Sequence, residues 1–222
     1  QKNGIIIKFF VLFIPMNTEH FINNPNRNLD TGIISVAHLG QMYRCRIIHA
    51  AYRNISTSDV IKSNLHKHNV YHFVLIRGGA GHVILDDETI KVEPGWLLIT
   101  SPDQFHDFGN LPGDSKDYCE VTFEFLNEKG DALTIPFSKV LEIWSGRSCQ
   151  IIDRVFVKPE LHHLIIEKIR ILVMTGKNQN YGFSLDIITI LSDIFRDLFL
   201  NLFSTDIRSR TKNPILEIHD YM

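Results

Sequence analysis

Cysteine, net charge and long apolar runs are all scarce in this 222-residue sequence. Its three cysteines, Cys45, Cys119 and Cys149, lie far apart without a C-x-x-C pair. This pattern argues against a disulfide framework and against a thiolate metal site, so we expect reduced thiols in the core. The formal net charge is −2, which leaves no bulk positive field to hold nucleic acid or an anionic membrane surface.

The longest apolar run is too short to cross a membrane. Residues Ile5 to Ile14 are apolar apart from Lys8, whereas a membrane span needs ~20 residues. Pro15 and Met16 follow without the small-residue cleavage site of a signal peptide. Met16 is an alternative start, with residues 1–15 as an upstream extension. We therefore expect a cytoplasmic protein with no membrane partner.

Short β-rich runs fill the chain from about Ile33 to Phe125, and they are separated by clusters of Gly, Pro, Asn and Asp. Val, Ile, Phe and Tyr between such turns are typical of an antiparallel sandwich or barrel. The clearest predicted strands are Tyr71 to Arg77, His82 to Leu85, Thr89 to Val92, Trp96 to Thr100 and Tyr118 to Phe125. The sequence therefore predicts an all-β domain here.

A helical period replaces the β pattern from Pro159, a residue that suits a first helical turn. Leu161, Leu164, Ile165, Ile169 and Leu172 fall on one face of this first predicted helix. A polar break from Gly176 to Gly182 follows. Ser184 then caps a second predicted helix that runs to about Phe203.

The second predicted helix carries two apolar stripes. One has the spacing of a coiled-coil seam and consists of Ile188, Leu191, Phe195, Leu198 and Leu202. The other consists of Ile187, Ile190 and Ile194. We favour an interpretation in which one stripe packs on the β domain and the other forms a homodimer. The alternative is that both stripes belong to the intramolecular core.

The last residues change character twice. Ser204 to Lys212 is polar and basic, which is typical of an interdomain linker. Asn213 and Pro214 then begin a helical pattern whose apolar residues have nothing left to pack against. We therefore expect the chain to continue into a further domain.

Histidines form the densest group of candidate functional residues. His66, His68 and His72 would share one face of an extended strand, with Val70 and Val74. His106 would join them from across the barrel. Convergent neutral imidazoles can hold a transition metal with an open position, or hydrogen-bond a small molecule. We expect no resident cofactor; if a metal is bound, its ligands are His66, His68, His72 and His106.

Other side chains complete the candidate site. Trp96 and Tyr71 could offer flat surfaces to a bound ring or sugar, with core packing as the alternative for each. Arg44, Arg46 and Arg53 could recognise a carboxylate, although exposed strand arginines are commoner. We expect the remaining histidines to be exposed or hydrogen-bonded without a function: His20, His38, His49, His82, His162, His163 and His219.

These residues resemble the two cupin motifs, G-x5-HxH-x3-4-E-x6-G and G-x5-PxG-x2-H-x3-N. The matching residues are His66, His68, Gly79, His106 and Asn110. His72 stands where the family has a metal-binding Glu. The second motif reads Pro102-Asp103-Gln104 with one residue fewer before His106. Both departures disfavour a standard metal-dependent cupin enzyme.

The surrounding sequence is similar to the sensing domains of AraC-type transcription regulators over roughly residues 60 to 222. The likeness lies in His68 to Gly78 before a Gly-rich turn, Pro94-Gly95, Ser101-Pro102 ahead of His106, and Phe123-x-Phe125. The resemblance implies a mainly β fold, a cupin-like double-stranded β-helix or jelly-roll barrel, followed by a C-terminal α-helical hairpin. It also implies associating helices, a linker and helix-turn-helix motifs, the first of which begins near Asn213.

Four segments follow from these observations: a tail or arm (1–30), a cupin-like effector-binding barrel (31–130), a helical dimerisation segment (131–203), and a linker with the start of a helix-turn-helix domain (204–222). The leading hypothesis is a bacterial transcription regulator and not an enzyme. Its barrel would bind a sugar or organic acid, and its DNA contacts would come only from the missing domain. The alternatives are a metal-dependent cupin isomerase or dioxygenase and a storage or scaffold cupin.

Overall fold

Ten β-strands and three α-helices are formed by the described residues in a computed structural model of the protein. The structure describes residues 18–20, 30–54, 64–109, 111, 113–150, 153–178 and 180–210. Asn110, His219 and the other residues of 211–222 lie outside these described residues, so the predictions made for them are not tested by the structure.

All strand pairs are antiparallel, and the strands form two sheets. The larger sheet has the order β1-β3-β9-β4-β7-β10, with β2 also paired to β3, and the smaller has the order β6-β5-β8. The strands are β1 (Thr18–His20), β2 (Asp30–His38), β3 (Gln41–Asn54), β4 (Tyr71–Gly78), β5 (Gly81–Leu85), β6 (Glu88–Val92), β7 (Trp96–Thr100), β8 (His106–Asp107), β9 (Asp117–Leu126) and β10 (Arg154–Phe156).

Both faces of the large sheet are covered, because residues along each strand alternate between two separate cores. On β4, Tyr71, Phe73 and Leu75 belong to an outer core, whereas Val74 and Ile76 belong to an inner core between the two sheets. The continuous burial of Tyr71 to Ile76 follows from this double coverage.

The inner core fills only one end of the space between the sheets. Its buried apolar side chains are Val74, Ile76, Val83, Leu85, Ile90, Val92, Leu98, Phe108 and Tyr118. Towards the other end, the inner face of β9 carries Glu120, Thr122 and Glu124 instead. The sequence thus makes one end of the barrel solid and the other end polar.

Three helices cover the outer face of the large sheet. They are α1 (Phe137–Ser145), α2 (Pro159–Asn178) and α3 (Phe183–Arg210). Their apolar faces join the outer core, in which Phe195 of α3 packs against Phe73 and Phe123 with ring centroids 5.3 and 5.1 Å apart. Barrel and helices are therefore one packing unit.

Among the described helices, none has the combination of length and apolar composition that a membrane span requires.

The five clearest predicted strands are confirmed as β4, β5, β6, β7 and β9, and the predicted start of α2 at Pro159 is confirmed as well. The predicted fold class, a cupin-like barrel followed by helices, is also confirmed, but the hairpin is preceded by a third helix. Neither α1 nor β10 was expected, because nine and three residues give too little periodicity for a sequence pattern.

Two predicted boundaries are wrong. Residues 18–20, expected to lie in a tail, form β1, which pairs with β3. The second long helix does not end near Phe203 but continues to Arg210. The stretch from Ser204 to Arg210 contains no Pro or Gly to stop a helix, so its polar composition alone did not mark the end of α3.

Both apolar stripes of α3 contribute buried residues to the intramolecular core. Leu191, Phe195 and Leu198 of the seam-like stripe are buried there, as are Ile187 and Ile194 of the other stripe. Ile190 and Leu202 are partly buried against the same core. Packing within one chain, the alternative that the sequence left open, thus accounts for these residues, whereas Ile188 of the seam-like stripe is half-buried and not part of this core.

Candidate functional site

A cavity of about 270 Å³ lies at the polar end of the barrel. The inner faces of β3, β4 and β9 form one wall, and the segment before β4 together with β8 and its following loop forms the other. The described residues that line it are His49, Asn64, His66, His68, His72, His106, Asp107, Phe108, Gly109, Tyr118 and Glu120.

The segment that brings His66 and His68 to the cavity is not a continuous strand. His66 forms an isolated β-bridge with His106, with N–O distances of 3.2 and 2.8 Å. His68 lies in the connection that follows, where its carbonyl accepts a hydrogen bond from Asp103 N at 3.0 Å. The prediction that His66, His68 and His72 share one strand is therefore wrong, because the chain bends at residues 69–70 before β4 begins.

The four predicted histidines nevertheless converge. The ring centroid of His106 lies 4.6 Å from that of His66, 4.8 Å from that of His68 and 5.1 Å from that of His72. His72 and His106 are buried, His68 is half-buried and His66 is exposed. The rings thus lead from the protein surface at His66 to the barrel interior at His72.

Backbone carbonyls orient two of these rings. His66 Nδ1 lies 2.6 Å from Asn64 O, and His106 Nδ1 lies 2.9 Å from Gln104 O. Since a carbonyl oxygen only accepts, each Nδ1 carries the proton and donates it. In the neutral ring, Nε2 is then the atom with the free lone pair. The Nε2 atom of His106 is buried and has no hydrogen-bond partner.

A chain of polar contacts crosses the floor of the cavity. His49 Nε2 lies 3.0 Å from Glu120 Oε1 and 3.3 Å from Thr122 Oγ1. Thr122 Oγ1 lies 2.8 Å from His72 Nδ1, and His72 Nε2 lies 2.8 Å from His68 Nε2. The Glu120 carboxylate can only accept, so His49 donates to it and the hydroxyl of Thr122 can donate to His72.

Burial makes the charged form of these histidines unfavourable. It lowers the pKa of His106 to about 4 and holds the pKa of His72 well below its usual value. Burial and, secondly, the neighbouring His66 ring also lower the pKa of His68. Near neutral pH the rings of His68, His72 and His106 are therefore uncharged.

Three of these imidazoles fit a metal ion. The ligating nitrogens of His66, His68 and His106 all lie within 4.8 Å of one another. Proteins commonly orient a metal-binding histidine by a hydrogen bond from its Nδ1–H to a backbone carbonyl. His106 has such a hydrogen bond, and its Nε2 has no partner and could bind the metal. A transition metal held there would act as a Lewis acid.

Tyr71 and Trp96, the predicted flat surfaces, are not brought to this cavity. Tyr71 lies on the opposite face of β4, where it is fully buried, stacks on Phe123 and donates a hydrogen bond to Ile135 O at 2.8 Å. Trp96 packs against the inner core and contacts the ring of Phe156 edge-on. Strand parity separates Tyr71 from His72, as expected for neighbouring residues.

Sequence reasoning missed several lining residues. His49 was assigned no function, and Glu120 and Phe108 were not considered, nor was Thr122, whose hydroxyl contacts the lining residues His49 and His72. On β9, Glu120 and Thr122 are polar residues at alternate positions of an otherwise apolar strand, which is a recognisable signal of a polar inner face. No sequence pattern connects His49 with residues more than 70 positions away.

The predicted carboxylate-binding arginines lie elsewhere. Arg44 and Arg46 line a separate cavity of about 390 Å³ with Met42, Leu126 and Asn127. Arg46 also forms an ion pair with Glu124. The side chain of Arg53 lies outside the described part of the structure.

The match to a family model agrees with this architecture, since residues 50–135 match the AraC-like ligand binding domain. None of the curated proteins matches the chain. Similar solved structures include a cupin 2 conserved barrel domain protein from Rhodopseudomonas palustris, with 17% identity over 51% of this chain and 83% of that chain and a TM-score of 0.29.

Two further solved structures are similar to a smaller part of the chain. A cupin 2 conserved barrel domain protein from Salinispora arenicola has 14% identity over 36% of this chain and 74% of its own, with a TM-score of 0.29. A predicted oxalate decarboxylase from Thermotoga maritima has 14% identity over 36% and 79%, with a TM-score of 0.27. Residues 50–135 are thus similar in sequence to an AraC-like ligand binding domain, and the two-sheet barrel to which they belong has a cupin-like fold.

Proposed function

We propose that this chain is the ligand-sensing part of a bacterial transcription regulator that works in the cytoplasm. A small-molecule effector occupies the histidine-lined cavity and controls an attached DNA-binding domain. The observation that carries this proposal is the cavity itself, because imidazoles from two separate segments converge inside a barrel whose sequence matches a ligand-binding family.

The packing supports a route from the cavity to the helices. Strand β9 presents Glu120 to the cavity and the Thr122 hydroxyl to the lining residue His72, and it presents Val121 and Phe123 to the outer core. Phe123 contacts Phe195 of α3 directly. A guest that binds more tightly to one of two arrangements of β9 shifts the equilibrium towards that arrangement. The size of the shift is set by the difference between its two affinities, and the contact with Phe195 passes the change to α3.

We further propose the domain organisation predicted from the sequence. Apart from β1, the residues up to 30 act as an arm, residues 31–130 form the effector-binding barrel, residues 131–210 form the helical segment of a homodimer, and residues 211–222 lead to the DNA-binding domain. In this proposal the chain has a regulatory and not a catalytic role, and DNA is bound only through the attached domain.

Thermal unfolding and sedimentation test this proposal on the purified chain. A panel of neutral sugars, carboxylic acids and amines is screened for compounds that raise the unfolding temperature, as a ligand of the native state must. A true effector also changes the association state in sedimentation. Its effect is lost in His66→Ala but kept in His163→Ala, which removes an exposed histidine of α2.

Two results would contradict the sensing function. In the first, no compound of the panel stabilises the chain. In the second, a stabilising compound leaves the association state unchanged, which identifies a storage or scaffold module without a switch.

A metal-dependent cupin enzyme is the second candidate, favoured by the proximity of the His66, His68 and His106 nitrogens. Elemental analysis of the purified chain separates the two candidates. One equivalent of a transition metal, lost in the double variant His66→Ala/His68→Ala, would favour the enzyme.

A further inference from the structure

We propose that the guest of the histidine cavity is a small organic cation with an ammonium group. This inference depends on the proposed effector-binding function, and it narrows the effector class, since a cavity for organic acids would need opposite polarity. Three features of the cavity carry it: the direction of its lone pairs, the charges in its wall and its aromatic side chains.

The Nε2 lone pairs of two imidazoles are available to a guest. His66 and His106 each donate their Nδ1 proton to a backbone carbonyl, so Nε2 is the atom left for a guest. Both Nε2 atoms can therefore accept a hydrogen bond from a guest, and the two ring centroids lie 4.6 Å apart.

The charged side chains agree with a positive guest. Glu120 and Asp107 contribute carboxylates to the lining, and no Lys or Arg is among the described lining residues. Lys116 is fully buried behind the wall, where its Nζ is hydrogen-bonded to Gly109 O and lies 3.4 Å from Asp114 Oδ2. A carboxylate guest would therefore meet lone pairs and like charge.

The aromatic lining and the volume favour an organic cation over a bare metal ion. Phe108 and Tyr118 line the cavity beside the imidazoles, and the Phe108 ring stacks on His106 with centroids 5.0 Å apart. Aromatic faces attract an ammonium group by the cation–π interaction. A space of about 270 Å³ accommodates a small molecule and not only a single ion.

Side-chain nitrogen NMR of the 15N-histidine-labelled full chain provides the test, because it reports the tautomer and the environment of each ring. Butylammonium and butyrate, matched in chain length, are titrated separately, and Zn²⁺ is titrated in a third arm. We expect butylammonium to shift the Nε2 resonances of His66 and His106 in a saturable way. Its affinity should exceed that of butyrate by about tenfold or more, or ~1.4 kcal/mol.

Variants of lining residues test whether the resonance shifts arise from binding in the cavity. Glu120→Gln removes a carboxylate from the wall and should weaken butylammonium binding by about tenfold. Because Glu120 is buried, its variant is first checked for folding by circular dichroism. His66→Ala, at an exposed position, is the second variant and should weaken binding as well. His163→Ala should bind like the unmodified chain.

The outcomes separate this inference from the proposed function. Butyrate or Zn²⁺ acting on these resonances without a response to butylammonium would overturn the ammonium assignment. Nε2-protonated tautomers of His66 and His106 would also overturn it. A sugar or acid that binds the cavity and changes the association state would leave the sensing function standing while this inference fails. A panel without any effector contradicts the sensing function itself.

Discussion

Burial of the His106 ring couples the stability of the barrel to pH. Burial lowers the pKa of His106 to about 4 in the folded state, whereas the unfolded chain takes up a proton near the usual histidine pKa of 6.5. Between these values the unfolded state binds more protons, so the free energy of unfolding must fall as the pH falls from 6.5 to 4. His72, whose pKa is also lowered by burial, acts in the same direction.

We expect His106 to account for a loss of about 3 kcal/mol across this window. Urea unfolding at pH 7 and at pH 4.5 measures the loss, and His106→Gln should reduce it. His163→Gln, at an exposed site on α2, should retain it. An equal pH dependence in His106→Gln and the unmodified chain would contradict the assignment to this ring.

Two buried threonines on the inner face of the large sheet provide a matched comparison. The hydroxyl of Thr122 lies between His49 and His72, whereas the hydroxyl of Thr100 is buried without a partner. Thr122→Val should lower the free energy of unfolding by about 1–2 kcal/mol, since it leaves ring nitrogens unpaired. Thr100→Val should be neutral or stabilising.

Chemical denaturation of the two variants checks this expectation. Equal effects of Thr122→Val and Thr100→Val would mean that the polar chain across the cavity floor contributes nothing to stability.

At the scale of elements, the turn between β4 and β5 requires glycine. Gly79 has a φ of +67°, and a Cβ at this position would lie 1.9 Å from Ser115 O. Gly40 has a similar φ of +74° but open space around it. Gly79→Ala should therefore destabilise the protein by about 3 kcal/mol, and Gly40→Ala by about 1 kcal/mol.

Because the two φ values are alike, the difference between the variants gives the cost of the steric clash apart from the cost of the backbone conformation. Thermal unfolding of Gly79→Ala and Gly40→Ala measures this difference. Similar losses in Gly79→Ala and Gly40→Ala would show that the loop around Ser115 moves aside at little cost.

Helices and strands were predictable wherever the hydrophobic period extended over enough residues. Strands β4 to β7 and β9 and helix α2 all follow clear patterns. The segment from His66 to His68 does not, since alternation over three residues cannot distinguish a strand from a bridge followed by a bend. Its geometry depends on the bridge to His106, which lies 40 positions away in the sequence.

At the scale of the whole molecule, α3 is part of the fold and not an appendage. Phe195 contacts aromatic rings of the sheet and of α1: Phe73, Phe123, Phe137 and Trp144. Phe195→Ala should lower the free energy of unfolding by about 3–5 kcal/mol, because it opens a cavity in this core. Leu200→Ala, at a position 58% exposed on the same helix, should change it by less than about 0.5 kcal/mol.

Urea unfolding followed by both fluorescence and circular dichroism checks the prediction for Phe195. Coincident transitions are expected, since barrel and helices share one core. A loss below about 1 kcal/mol in Phe195→Ala, together with altered sedimentation, would assign this side chain to an interface between chains. Dimerisation through α3 itself stays a prediction.

Local sequence patterns were enough to predict the alternation of the strands, the glycine turn at Gly79, the helical period after Pro159 and the two segments that carry the histidines. These are local properties, because they depend on steric and hydrophobic preferences over a few residues. Long-range packing places His49 and Glu120 at the cavity, Tyr71 on the opposite face of β4, and Leu191, Phe195 and Leu198 of α3 in the intramolecular core. Each of these outcomes depends on which distant surfaces meet, and no local period encodes that.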